Sequence, residues 1–426
     1  MVYTEVSSSY AKEAFPVSMR KDAQQIISSA IQAALPDTAV KKALEDHSFS
    51  SGRLLLVSAG KAAWQMAACA SSLLGDRIEA GVVCTKYDHA KGLIANFQIF
   101  EGGHPVPDKN SFLGTQAAID LVSGLTPDDT VLFLLSGGGS ALFEKPLIPE
   151  EDLTDLTRQL LACGADIVEM NTLRKRMSAV KGGRFAQLCA PAKVYSIVLS
   201  DVLGDPLDMI ASGPAYPDST SCADARAVVE KYSLKLTAQM KQLLEVETPK
   251  QLNNVETRIT GSVRQLCASA AVTCQELGYR PVILTDCLDC EAREAGSFLA
   301  AIARTAAQGN ESVAFIAGGE TVVHLTGSGL GGRNQELALS AAAGIAGLEN
   351  VLVFSLGSDG TDGPTDAAGG IVDQDTCARL VEKGISIHDV LRENDAYHAL
   401  QQVDGLIFTG ATGTNVNDVS ILLVRR

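Results

Sequence analysis

The stretch Thr130 to Phe143, TVLFLLSGGGSALF, constrains this chain most: an apolar run breaks into three glycines between Ser136 and Ser140. The apolar half reads as a buried strand and the rest as a tight turn into a helix. That shape suits an anion, because unpaired backbone N–H groups point outward and glycine lets a phosphate come close to them. Neither familiar phosphate signature is met. The GK[ST] ending of a P-loop is missing, and Leu142 stands where a dinucleotide fingerprint starting at Gly137 needs its third glycine. A plain strand-to-helix turn in an α/β protein has the same local pattern, so the rest of the chain must decide.

Upstream, RLLLVSAG (Arg53 to Gly60) reads as a buried strand, and a helix follows directly from Lys61 to Leu74. Lys61 is therefore expected at a helix N-terminus, where the dipole already favours an anion. A covering helix is expected over Met19 to Leu44. Strands at Ala80 to Lys86, Phe97 to Gly103, Thr130 to Leu135 and Lys193 to Val202 alternate with helices at Ser111 to Ser123 and Asp152 to Cys163. Such alternation signals a parallel sheet covered on both faces. In a doubly wound sheet the first and fourth strands are neighbours, which would bring Lys61 and the loop Ser136 to Ser140 to one crevice.

Between the fourth and fifth strands lies NTLRKRMSAVKGGRF, with Arg174, Lys175, Arg176, Lys181 and Arg184. Such a run serves equally as a solvated helix face or as an anion site. Lys181 leads into Gly182 and Gly183, a break that would project its cation from a tight turn. Asp201, Asp205 and Asp208 cluster at the end of the fifth strand, as an oxygen-liganded Mg²⁺ would require, although capping and turn roles also suit aspartates.

From Ser233 to Asn254 the chain turns polar and glycine-poor, and the expected division runs there, giving domains over 1–240 and 250–426. In the second part Gly327, Gly329 and Gly332 satisfy GxGxxG, but no acidic residue ends a strand about 20 positions later as ribose recognition requires. Arg333 follows the last glycine. A guanidinium at a helix N-terminus opposes the dipole and is more easily explained by an anionic ligand. Asp359, Asp362 and Asp366 sit among glycines after another buried strand, and Leu406 to Val424 reads as two final strands around a Gly/Thr/Asn loop.

The formal net charge of −15 argues against a nucleic-acid or anionic-membrane partner, so an anionic substrate needs a local cationic cluster. No apolar run reaches the ~18–20 residues of a membrane helix, and the first residues lack a signal-peptide core. The ten scattered cysteines read as reduced thiols. One close pair, Cys287 and Cys290, falls short of the two pairs typical of structural zinc. A cytoplasmic location is expected.

Taken in order, SAGKAA, HPVPD, SGGGSAL, NTLRKRMSAVKGGRFA, SDVLGDPLDMIASGP, CEARE, GGRNQELAL, SDGTDGPTDAAGGIVD and TGATGTNVNDV resemble the glycerate 2-kinases that join an N-terminal Rossmann-like domain to a MOFRL domain. Leu173, Arg176 and Cys290 depart from that pattern. The resemblance implies an α/β fold of two three-layer domains, the first a doubly wound, mostly parallel sheet and the second a mixed sheet with helices. It further implies phosphorylation of D-glycerate at the 2-hydroxyl by ATP with Mg²⁺, in a cleft between the domains. On this reading Lys61, Arg333 and Asp201 are catalytic. Ser136, Gly137, Gly138, Gly139, Ser140, Lys181 and Gly182 face the nucleotide. Arg174, Asn334 and Glu336 face glycerate, and Asp205, Asp359 and Asp362 face Mg²⁺. A homodimer is an allowed assembly. The alternative is an NAD(P)H-dependent hydroxypyruvate reductase, a name this family has also carried, with the single GxGxxG as its motif. Glycine loops, cations and carboxylates without a nucleophile triad suit phosphoryl transfer.

Overall fold

The structure is a computed structural model and describes residues 19–426. Six strands form the first sheet: β1 (Leu54–Ala59), β2 (Ala80–Lys86), β3 (Phe97–Gly102), β4 (Thr130–Leu135), β5 (Lys193–Leu199) and β6 (Val255–Gly261). All are parallel, in the order β3-β2-β1-β4-β5-β6. Every residue of β1 and β4 is buried, as a sheet with helices on both faces requires. The order reverses between β1 and β4, the expected neighbours, and their registers place Ala59 beside Leu135. The loops that leave these two strands are therefore forced together.

The second sheet is mixed. It comprises β7 (Arg280–Leu288), β8 (Val313–Gly319), β9 (Val351–Gly357), β10 (Gly369–Asp373), β11 (Leu406–Ile407) and β12 (Asp418–Val424), in the order β11-β10-β9-β12-β8-β7. Its last-made strand, β12, inserts antiparallel between β8 and β9. The two-domain α/β architecture expected from sequence is present, but the sheets divide the chain differently from a cut between 240 and 250. Strand β6, expected to open the second domain, is the edge of the first sheet because it hydrogen-bonds to β5.

The N-terminal helix supplies a second correction. A single helix over Met19 to Leu44 was expected, but Pro36 cannot donate its backbone N–H, and the residue before a proline is pushed to extended backbone. Leu35 is extended (φ −65°, ψ 143°), and the helix splits into Met19–Ala34 and Pro36–Leu44. The halves serve different sheets. Ala23, Ile26 and Ala30 pack with Ile316, Phe354 and Ile421 of the second, whereas Ala39, Val40 and Ala43 pack with Leu54, Leu56 and Tyr195 of the first. Helices Glu150–Ala162, Ile167–Arg176, Cys222–Tyr232 and Ala238–Leu244 bury Leu156, Leu160, Met170, Leu173 and Met240 in a separate cluster beside the first sheet. Among the described residues no helix is long and apolar enough to cross a membrane.

Candidate active site

Lys61 and the glycine loop form one unit. The Lys61 amide donates to the Gly137 carbonyl at 2.8 Å, and the Ala62 amide donates to Ser136 Oγ at 3.1 Å. The Lys61 carbonyl in turn accepts from His89 Nδ1 at 2.9 Å. The helix starts at Ala63, two residues later than expected, so Lys61 lies in the turn that precedes it. Its half-buried ammonium has no acceptor among the described residues.

Each glycine of the loop is required by what lies over it. A Cβ on Gly137 would fall 2.2 Å from Asp201 Oδ2, and one on Gly138 would fall 3.1 Å from both Lys61 Cγ and His104 Cδ2. Gly138 also has φ +83°, where side chains are strained. The amides of Gly137 and Gly138 find no acceptor among the described residues. The loop thus presents free N–H groups next to a free ammonium.

Lys61 and Gly137 border a cavity of about 380 Å³ between the two sheets' loops, lined also by Ser136 and Asp201 from one side and by Asp359 and Asn415 from the other. Burial raises the Asp201 carboxyl above its ordinary pKa, with Glu320 adding to the rise and Lys61 opposing it. His104 is held below the usual histidine range by burial, then by Lys61, Lys86 and His89. Asn417 ties the halves together, donating to the Asp201 carbonyl and to Glu320 Oε2, both at 3.1 Å.

The expected Mg²⁺ ligands do not converge. Among the described residues no three metal-binding side chains form a cluster. Asp359 lines the cavity, with Oδ1 accepting from Thr361. Asp205 is not on the cavity's lining. Asp362 is 3% exposed and caps the helix Arg333–Ile345, accepting from the amides of Asn334 and Gln335 at 3.2 and 2.9 Å. A carboxyl group whose oxygens take the first amides of a helix has a structural role.

The same cap explains the GxGxxG segment. A Cβ on Gly332 would strike Asp362, one on Gly327 would strike the Glu393 backbone, and one on Gly329 would strike Asp395. The glycines admit neighbouring chain, and the helix N-terminus that a dinucleotide pyrophosphate would use is taken by Asp362. Asn334 and Glu336 are likewise buried rather than facing a substrate. Asn334 contacts Asp362 and accepts from Ser355, and Glu336 accepts from Asn394.

Arg333 keeps an anion, but an internal one. Its Nε and Nη2 take the two Asp418 oxygens at 2.5 and 3.0 Å, and Nη1 donates to Glu320 at 2.8 Å. Burial disfavours its charge, yet Asp418 and then Glu320 outweigh this and raise its pKa. The anionic ligand expected for this guanidinium is, in the structure, Asp418.

The basic run is mostly interior. Lys175 and Arg176 are fully buried, Lys175 bridging Asp208 and Asp218 at 3.1 and 3.0 Å, and Arg176 bonding Thr220. Gly182 and Gly183 have positive φ, and their amides go to the Ser212 and Gly213 carbonyls, so neither amide is left free for a ligand. Lys181 is buried under the glycine loop, donating to the Ser140 carbonyl at 2.7 Å and to Glu144. Arg174 alone of these cations makes no side-chain hydrogen bond among the described residues; it is half-buried, and burial lowers its pKa.

Glu320, Asn417 and Asp418 join the site beyond the residues assigned to it by sequence, although a glutamate ending a buried strand (GGE) and an Asn-Asp pair opening another are visible signals. His104 and Glu144 were also passed over.

Residues 22–245 match the family described as Domain of unknown function (DUF4147), and residues 313–418 match the MOFRL family. The chain is 51% identical over 415 residues to D-glycerate 2-kinase of Thermotoga maritima, covering 96% of this chain and 99% of that one. The crystal structure of glycerate kinase from Thermotoga maritima superposes with a TM-score of 0.93, covering 96% of this chain and 100% of that chain. At 38% identity, a chain from Agrobacterium vitis with only the provisional name hydroxypyruvate reductase matches over 96% of this chain and 95% of its own. With both family regions present in order and a shared fold along nearly the whole length, the chain belongs to the glycerate 2-kinase family.

Proposed function

We propose that this chain transfers the γ-phosphoryl group of ATP to the 2-hydroxyl of D-glycerate, with Mg²⁺, giving 2-phosphoglycerate and ADP. The observation that carries this reading is the unpaired Lys61 ammonium and the free amide of Gly137 on one cavity, with the free amide of Gly138 next in the same loop. Phosphoryl transfer asks a protein chiefly for positioning and charge neutralisation, and donors fixed in place before reaction supply the latter without reorganisation. Lys61 neutralises phosphate charge as it builds. Asp201, its pKa raised toward the working range by burial, receives the proton of the attacking hydroxyl.

Mg²⁺ characteristically binds through one or two carboxylates plus substrate phosphates. Asp359 fits that demand, since it lines the cavity and its Oδ2 accepts no hydrogen bond among the described residues. The ion would supply charge neutralisation on the phosphates. Arg333 acts through Glu320, holding it where it shares Asn417 with the Asp201 backbone. All ten cysteines are unpaired, which supports a reducing, cytoplasmic setting.

The reductase reading loses its motif to the Asp362 cap. Two parallel assays test the choice: ADP release from ATP with D-glycerate, and NADH oxidation with hydroxypyruvate. The first should proceed and the second should not. The reverse pattern overturns the proposal.

A further inference from the structure

A second cavity, of about 240 Å³, opens at the other end of the glycine loop from Lys61. Ser140, Glu144, Arg174 and Lys181 form its polar wall, and Val106 and Phe112 contribute an apolar wall. Two groups in it are unmet. Glu144 is 3% exposed and gives one oxygen to Lys181, but its Oε1 has no hydrogen-bond partner among the described residues. A buried acceptor left this way costs free energy unless a ligand supplies a donor. The Arg174 guanidinium, half-buried and always charged, makes no ion pair or side-chain hydrogen bond among the described residues and feels Glu144 only at a distance, whereas Lys175, Arg176, Lys181 and Arg184 of the same run all have acceptors. Lys181 cancels the charge of Glu144, and Glu150 and Arg158 on the same lining are of opposite sign, so Arg174 leaves the cavity with positive charge in excess.

The unmet pair defines its ligand: an anion able to take a guanidinium fork, and a hydroxyl or amino donor a short distance away. A small hydroxy acid meets both demands. A purine base would bring no charge for Arg174. We propose that the phosphoryl acceptor lies in this second cavity, its carboxylate on Arg174 and a hydroxyl donating to Glu144 Oε1, leaving the 2-hydroxyl toward the loop and Lys61. The inference rests on the kinase reading, in which the family resemblance already points Arg174 at glycerate, and adds to it the acceptor's cavity and the part of Glu144 in selecting it. The cavities are neighbours: the four residue steps from Ser136 to Ser140 span at most ~14 Å. Lys61 and His104 meet over Gly138 between them, and Pro105, next to His104, lines the second cavity. With glycerate here, the 3-hydroxyl is the donor to Glu144, so the pocket both orients the acid and selects for a second hydroxyl.

Calorimetric titration of the full chain tests this. Arg174→Met, which breaks no hydrogen bond, should weaken D-glycerate binding about 30-fold or more while the Kd of a non-hydrolysable ATP analogue stays within about twofold. Thr154→Trp, which fills the cavity from an exposed helix position, should do the same. In the wild-type protein D-lactate, which lacks the 3-hydroxyl, should bind at least about tenfold more weakly than D-glycerate. If both variants bind glycerate normally, or lose the nucleotide instead, the placement is wrong although the wild type still turns over glycerate. Equal binding of lactate and glycerate removes the role of Glu144. A wild-type protein that phosphorylates no glycerate overturns the kinase reading and this inference with it.

Discussion

The Lys61 amide donates to the Gly137 carbonyl at 2.8 Å, so the lysine that ends one strand's loop is pinned to the glycines that end its neighbour's. The backbone fixes the turn, and the side chain is left free. Lys61→Met should therefore lower kcat by about 10² or more, as loss of a preorganised electrostatic group does, with Tm nearly unchanged. Kinetics alongside a thermal melt checks both halves. Full activity, or an unfolded variant, would sink the assignment.

Gly137→Ala tests the loop from the other side. Its Cβ would stand 2.2 Å from Asp201 Oδ2, and the carboxylate must move. The expected result is a loss of kcat of roughly 10² that is larger than the loss in substrate affinity, since displacing a reacting group by about 1 Å is costly. Equal kcat would mean that Asp201 is not the proton acceptor.

Arg333 should behave unlike Lys61. Asp418, 5% exposed, depends on its fork, and Arg333→Met would leave that carboxylate buried and unpaired. We expect a destabilisation of about 1–3 kcal/mol together with reduced activity. Arg333→Lys should recover only part of either, because an ammonium cannot reproduce two parallel hydrogen bonds. A variant that loses activity with its melt unchanged would instead return Arg333 to direct substrate contact.

Asp362 is predicted to matter for stability and not for metal. Burial pushes its carboxyl up to about 7, the amides of Gln335 and Asn334 opposing and Asp418 adding to the rise. The folded value lies above the ordinary ~4, so the folded chain holds an extra proton between about pH 4 and pH 7. The stability this group contributes is thus complete below pH 4 and is lost as pH rises through 7. Chemical denaturation across that window should show a steeper fall for wild type than for Asp362→Asn. The Mg²⁺ concentration for half-maximal rate should be the same in both, and a shift in it would restore Asp362 as a ligand.

Much of the frame could be read from residues. Buried apolar runs that end in glycine, at Gly60 and Gly137, located the two strands and their loops, and the alternation of elements predicted that β1 and β4 would be neighbours. What escaped was whatever depends on partners distant in sequence. Arg333 looked free because Asp418 lies 85 positions away and meets it only when β12 inserts beside β8. Asp362 resembled a metal ligand because nothing local shows that a helix start 28 residues upstream needs its oxygens. Lys175 and Arg176 read equally well as a solvated face, since their burial depends on Asp218 and Thr220 folding over them. β6 was assigned by position in the chain, whereas sheet membership follows hydrogen bonding to β5.

The most direct test of the whole account is phosphorus NMR of the product formed from D-glycerate, ATP and Mg²⁺. The pairing of Lys61 with the glycine loop, and of the acid's carboxylate with Arg174, predicts 2-phosphoglycerate and stoichiometric ADP. A spectrum dominated by 3-phosphoglycerate, or one showing ATP unchanged, would contradict it.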